Sequence, residues 1–257
     1  MTAGRLLDKI VIITGASAGM GAAMLNRFVA EGARVVAVSR TEERLRRQIA
    51  LTGADDRVAA VPIDVALPDA PDKIIDTALE LFGGLDVLIN NAGVADGFQL
   101  AGEIEEEVWA RTLDVNLTGP MRLCRKAIPL FVEQGGGTFV ATASIAGERG
   151  GRGGAAYTSA KHGLIGLTRS IAATYFDRGI RANVIAPGWT ATEMDVGAKA
   201  CAKVSREGWR KFRAVAEINP RVAEADEIAE ISLFLASDES RALNGAILTA
   251  DSGWSVR

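Results

Sequence analysis

Seven short runs rich in β-branched apolar residues recur along the 257-residue chain. They are KIVIIT (9–14), ARVVAVS (33–39), RVAAVPI (57–63), LDVLIN (85–90), GTFVATAS (137–144), IRANVIAP (180–187) and GAILTA (245–250). None shows clear alternation of apolar and polar positions. A strand that reads apolar throughout is buried on both faces, as in a parallel sheet covered by helices. The intervening stretches have helical periodicity: Leu25, Phe28 and Val29 after the first run, Leu45 and Ile49 after the second, Ile74, Ala78 and Leu81 after the third. Right-handed crossovers then give a doubly wound α/β fold of about seven parallel strands. The alternation runs to the C-terminus without a linker, so one domain over 1–257 is expected. The segment 104–134 reads as helix, with a break or kink expected at Pro120 and Pro129. Residues 192–215 fit the sheet poorly and are expected to form a helical lid.

The stretch TGASAGMG (14–21) follows the first run and opens the first helical segment. Gly15, Gly19 and Gly21 permit a tight turn and close backbone approach, with a helix N-terminus facing the anion. Between strand and helix, this arrangement points to a dinucleotide. The second run ends at Ser39 and Arg40, about 20 residues further on, where an acidic residue would bind the ribose hydroxyls of NAD and an Arg suits the 2′-phosphate of NADP. No acid stands there, Ser39 can donate to the phosphate and Arg40 can pair with it. The expectation is NADP, with NAD as the alternative and an Arg40–Glu43 surface pair as the competing structure.

The net charge of -3 gives no footprint for nucleic acid. No apolar run is long enough to span a bilayer, and no signal peptide is read at the N-terminus. Cys124 and Cys201 are far apart and form no metal-ligand pattern, and His162 is the single histidine. These features point to a cytoplasmic protein without a metal site.

Residues 153–163, GGAAYTSAKHG, set Tyr157 and Lys161 four positions apart among small residues. On a helix the two lie one above the other. An ammonium beside the phenol is expected to lower the tyrosine pKa. Taken alone, the spacing is better read as a tyrosine packing on a lysine stem.

With these residues in view, the sequence resembles the classical short-chain dehydrogenase/reductase family over nearly its whole length. TGASAGMG is similar to the family's TGxxxGxG loop and NNAG (90–93) to its NNAG. Asp64 stands where the family binds the adenine ring, with Val65 beside it. Asn116 resembles the family's helix asparagine, Ser144, Tyr157 and Lys161 its S…YxxxK, and PGWTAT (187–192) its PG…T. DSG at 251–253 departs from the usual DGG. The Tyr–Lys spacing disfavours an enoyl reductase.

The resemblance implies an oxidoreductase that interconverts a ketone and a secondary alcohol by hydride transfer. It implies Tyr157 as general acid or base, Lys161 on the nicotinamide ribose, Ser144 on the substrate oxygen and Asn116 holding a water that links Lys161 to solvent. The cofactor residues are then Gly15, Ser17, Gly19, Met20, Gly21, Ser39, Arg40, Asp64, Val65, Asn91, Ala92, Gly93, Tyr157, Lys161, Pro187, Gly188, Thr190 and Thr192. Asn90 would keep the sheet-end geometry, and Ile185 to Gly188 would meet the carboxamide. An apolar substrate pocket is expected from Val94, Ala146, Trp189, Met194 and Phe212. Arg149 and Arg152 are expected in solvent. Partners are a small-molecule carbonyl or alcohol and a second copy of the chain in a dimer or tetramer. Within the lid, Lys199, Lys203, Arg206 and Arg210 would share one helix face, and Cys201, Val204, Phe212 and Val215 the other. Two alternatives stand beside this reading. One is a 3-oxoacyl thioester reductase docking an acyl carrier through the basic face. The other is a non-catalytic dinucleotide sensor.

Overall fold

Each of the seven apolar runs forms a strand, because each supplies apolar side chains to both sides of one sheet. A computed structural model describes residues 4–192 and 203–256. The strands are β1 (Ile10–Thr14), β2 (Arg34–Ser39), β3 (Val58–Pro62), β4 (Val87–Asn90), β5 (Gly137–Thr142), β6 (Ile180–Pro187) and, last in the chain, β9 (Ile247–Ala250). They lie in the order β3-β2-β1-β4-β5-β6-β9 with every pairing parallel. The chain thus builds outward from β1 in one direction and returns to build from β4 in the other. A further two-stranded ribbon, β7 (Thr190–Ala191) with β8 (Ala223–Glu224), was not legible as apolar runs.

β1 shows why alternation is absent. Val11 and Ile13 face one core with Met24, Leu25 and Phe28 of α1 (Gly19–Ala30) and Leu233 of α8 (Ala225–Ala236). Ile10 and Ile12 face the other with Ile74 and Ile75 of α3 (Ala70–Phe82) and Phe131 of α5 (Gly119–Glu133). Burying an aliphatic side chain of this size contributes roughly 1.5–3 kcal/mol, so both faces hold the strand in register. Leu45 and Ile49 of α2 (Glu42–Thr52) and Ile74 and Ala78 of α3 are buried as expected, whereas Leu81 is exposed near the end of its helix.

The expected break in the 104–134 helix is a π-helical turn at Asp114–Thr118, between α4 (Glu106–Leu113) and α5. Pro120 enters the first turn of α5, where it needs no amide partner. Pro129 sits inside α5 without ending it. The catalytic-motif helix α6 (Ala155–Tyr175) follows β5, and α7 (Arg206–Ala216) carries the described part of the expected lid. Among the described residues no helix is long and apolar enough to cross a membrane.

Near the C-terminus, Asp251 accepts the Gly253 and Ser255 amides, which forces the residue between into a tight turn. That residue, Ser252, has φ +55, a left-handed conformation costly for a side chain with a Cβ. It is the serine of the DSG departure. Ser252→Gly is expected to stabilise the fold by about 1 kcal/mol, relieved strain exceeding the added chain entropy. The check is urea unfolding, with the midpoint raised and the slope unchanged.

Candidate active site

The strand order reverses between β1 and β4, and there the helices diverge to opposite faces and leave a cleft at the carboxyl ends of the strands. Thr14 closes its floor. Its hydroxyl donates to the Ile89 carbonyl and accepts the Asn91 and Ala92 amides, and its carbonyl accepts from Asn91 Nδ2 at 3.0 Å. Gly15 turns the chain at φ +74, and a Cβ on Gly21 would run into the Gly15 carbonyl oxygen. The loop therefore lies flat, and the N-terminus of α1 opens into the cleft with no acidic residue in its first turn.

This cleft encloses about 640 Å³. Its walls include Gly15, Ser17, Gly19, Met20, Gly21, Ser39, Arg40, Asp64, Val65, Asn91, Ala92 and Gly93, the residues expected to hold a dinucleotide. Ser17 and Ser39 share a hydrogen bond of 2.7 Å across the loop. Glu43 pairs with Arg47, not with Arg40. Arg44 and Arg111 also line the cleft and escaped the sequence reading. Arg111 reaches Asp64 Oδ2 at 2.6 Å while Oδ1 accepts the Ala66 amide. Burial alone would raise the Asp64 pKa. The hydrogen bonds from Arg111 and Ala66 and the charges of Arg111 and Arg40 outweigh it, so the pKa is lowered. Asn91 Oδ1 is buried without a partner beside the loop, an acceptor left for a donor group such as a carboxamide or ribose hydroxyl. The cradle fits a dinucleotide.

Beyond Met20, Asn91 and Thr192, which border both spaces, lies a smaller cavity of about 240 Å³. Ser144, Tyr157 and Lys161 line it. Lys161 donates from Nζ to the Thr142 carbonyl at 2.8 Å and lies 5.5 Å from the centre of the Tyr157 ring. The expected lowering of the tyrosine pKa is not found. Burial pushes the phenol up to about 12, the Ser144 hydroxyl opposing and the Asp96 charge reinforcing that push. Burial also pulls the Lys161 ammonium down to about 7. Desolvation has overridden the expected charge pairing: burial penalises the phenolate and the ammonium alike.

Asp96 was missed in the sequence. Its carboxylate accepts the amides of Tyr157 (2.9 Å) and Phe98 (3.1 Å), and it fills the space a side chain on Gly154 would need. It therefore caps α6 from another part of the chain, at the turn that carries Tyr157. Burial raises its pKa against these hydrogen bonds.

The far wall is aromatic. Phe98, held at φ +57, packs on Phe212 at 4.6 Å and Trp209 at 5.2 Å between ring centres, and Phe212 also meets Trp189 and Trp254. The strap 97–99 anchors the approach to α7: Ser205 N donates to the Gly97 carbonyl, Gln99 Nε2 to the Lys203 carbonyl, and the Phe98 carbonyl abuts Gly208.

A family model described as enoyl-(acyl carrier protein) reductase matches residues 15–255. The chain is 37% identical to 3beta-hydroxysteroid dehydrogenase 2 of Eggerthella lenta, covering 98% of this chain and 96% of that protein. It is 33% identical to the 3beta-hydroxysteroid dehydrogenase of Mediterraneibacter gnavus, covering 98% and 97%. The chain belongs to the short-chain dehydrogenase/reductase family. The crystal structure of levodione reductase superimposes with a TM-score of 0.87 at 31% identity, covering 98% of this chain and 99% of that one. This family member is an oxidoreductase of the ketone/secondary-alcohol type, and the family uses NAD(P).

Several assignments shift in this short-chain dehydrogenase/reductase structure. Asn116 sits in the π-helical turn and lines neither space. Its amide donates to the Val94 and Thr112 carbonyls and accepts the Val94 amide. Val94 lines the dinucleotide cleft, not the aromatic cavity, and Ala146 is wholly buried behind Ser144, whose Oγ accepts its amide. Asn90 and Ile185 are buried in their strands, whereas Pro187, Gly188, Thr190 and Trp189 line the cavity. Arg152, expected in solvent, is half-buried there, while Arg149 is exposed. Met194, Lys199 and Cys201 lie outside the described residues. Lys203 and Val204 precede α7 and do not extend its faces, Arg206 and Arg210 are exposed on it, and Phe212 is buried with Val215 partly so.

A lysine whose folded-state pKa is depressed binds fewer protons folded than unfolded across the interval between the two values. Stability from Lys161 therefore rises with pH from about 7 towards its ordinary 10.5. Wild-type protein is expected to gain on the order of a few kcal/mol over Lys161→Met across that window, at about 1.4 kcal/mol per pH unit. Denaturant unfolding of both proteins from pH 7 to 10 provides the test, and a constant difference would refute the assignment.

Proposed function

We propose that this enzyme is an NADP-preferring oxidoreductase for alicyclic ketones and secondary alcohols, with Tyr157 delivering the proton. The observation that carries the reading is the position of Tyr157, Ser144 and Lys161 in an aromatic cavity that opens beside the dinucleotide cradle. The two hydroxysteroid dehydrogenases support a ring-borne secondary alcohol as the substrate class. The bound dinucleotide would supply or accept hydride. Ser144 Oγ would hydrogen-bond the substrate oxygen, and the Tyr157 hydroxyl would protonate that oxygen as negative charge develops. With its pKa raised, the phenol holds its proton at neutral pH, which suits reduction. Oxidation needs the phenolate and is expected to accelerate as pH rises. Lys161 would hold the ribose hydroxyls, and Asn116 would shape the turn beneath Val94.

Arg40 at the end of β2, with Arg44 one helical turn on, supports NADP over NAD. The 2′-phosphate would accept charge-assisted hydrogen bonds from Arg40, with Arg44 adding positive charge to the same wall. Two residues of the basic stripe have acidic partners of their own, Lys203 with Glu105 and Arg210 with Glu207, which supports the small-molecule reading over the acyl-carrier alternative. The complete Ser-Tyr-Lys set argues against a non-catalytic sensor. We read 1–257 as one unit, since the last strand joins the same sheet, and α7 as the described part of the expected lid, residues 193–202 lying outside the described residues. A homo-oligomer in the cytoplasm completes the reading.

Tyr157→Phe is expected to lower kcat at least 10²–10⁴-fold, the usual range of about that size for acid–base catalysis, while the Kd for the dinucleotide stays near wild type. Steady-state rates with an alicyclic ketone, a 3β-hydroxysteroid and a 3-oxoacyl thioester, beside cofactor titration, provide the test. Wild-type rates in the Phe variant would sink the mechanism.

Arg40→Ala is expected to raise KM for NADPH by roughly 10- to 100-fold and to leave NADH nearly unchanged, since a charged hydrogen bond contributes about 1.5–3 kcal/mol. Equal effects on both cofactors, or a native preference for NADH, would overturn the NADP assignment.

A further inference from the structure

We propose that Arg152 forms a carboxylate subsite in the substrate cavity, so that the preferred ketones are keto acids and the preferred alcohols hydroxy acids. The proposal rests on the ketone/alcohol reading above and names the substrate class within it.

Arg152 lines the same cavity as Ser144 and Tyr157. Its neighbour Gly153 lies against the Tyr157 ring, where an added Cβ would come within 2.8 Å. The guanidinium is thus close in the chain to the reacting end. Its carbon lies 4.6 Å from the centre of the Trp254 ring, and Trp254 is itself fixed by an Nε1 hydrogen bond of 3.0 Å to the Val215 carbonyl. The guanidinium thus lies over the indole at cation–π distance while the Arg152 side chain borders the cavity. Arg152 Nε is buried without a hydrogen-bond partner. A partly desolvated cation on an aromatic platform, lacking a counter-ion, gains most from an anion that brings its own acceptors.

The nearby acids are committed elsewhere. Asp251 accepts the Gly253 and Ser255 amides, Asp96 the Phe98 and Tyr157 amides, and Glu148 the Thr249 hydroxyl. Among the described residues no carboxylate forms an ion pair with Arg152. Burial lowers its pKa, as does the charge of Arg149, and Asp251 opposes them. An arginine starting this high remains charged at neutral pH. A planar monoanion suits one guanidinium edge, whereas a phosphate dianion would meet Asp96 and Asp251 with a charge in excess.

The experiment uses a series of cyclic keto acids that differ in the length between ketone and carboxylate, each paired with its methyl ester. Wild-type kcat/KM is expected to favour the best-fitting acid over its ester by about tenfold or more, the scale of a desolvated charge pair. Arg152→Met keeps the stem on Trp254 but removes the charge. It should cost the acid at least tenfold more than the ester, and Arg152→Lys should restore part of the preference. Quenching of tryptophan fluorescence by acid and ester, with dinucleotide present, measures binding apart from turnover. If acid and ester behave alike in wild type throughout the series, or Arg152→Met weakens both equally, Arg152 serves packing alone and the subsite is refuted. If no ketone is turned over but the acid quenches and the Met variant abolishes it, the subsite stands and the ketone reading fails.

Discussion

The hydroxyl of Thr14 joins the two halves of this fold at the point where they part. A threonine hydroxyl has one proton to give and two lone pairs to accept with. Here all are used, on the Ile89 carbonyl and the Asn91 and Ala92 amides. The ends of β1 and β4 are tied together at the seam where no crossover helix can cover them. The glycine loop can then lie flat on that seam, because Gly21 brings no side chain against Gly15. Asn91, held by the Thr14 carbonyl, borders both the dinucleotide cleft and the aromatic cavity. The alignment of cleft and cavity thus depends on one buried hydroxyl.

Desolvation governs the chemistry of the reactive pair more strongly than proximity does. Tyr157 and Lys161 are close, yet burial shifts both towards their neutral forms. The phenol keeps its proton and the amine readily gives its own up. A neutral pair is the less costly state in a medium that hydrates ions poorly. For the phenol, Asp96 reinforces the effect of burial because its negative charge disfavours a phenolate, and by accepting the Tyr157 amide it seats that backbone.

What could be read from the sequence was what depends on local order. β-branched runs, a glycine loop between strand and helix, and two residues four apart on one helix carry their geometry with them. Tertiary pairings do not. Asp96 is remote in sequence from the Tyr157 turn that it caps, and its residue type alone signals nothing. Arg111 meets Asp64 only because α4 passes over the end of β3. Arg152 looked like an ordinary loop arginine until Trp254, from the far end of the chain, was placed beneath it. The pKa expectation for Tyr157 reversed for a related reason: spacing reports the distance between two groups but says nothing of the water around them.

The strap 97–99 serves two masters. Its Gly97 and Phe98 carbonyls and the Gln99 side chain receive the approach to α7, and Asp96 at its head seats the turn bearing the phenol. One short length of backbone thus supports both the aromatic wall and the turn that carries Tyr157. A substitution that shifts the strap to reshape that wall would, on the proposed mechanism, also move the proposed acid.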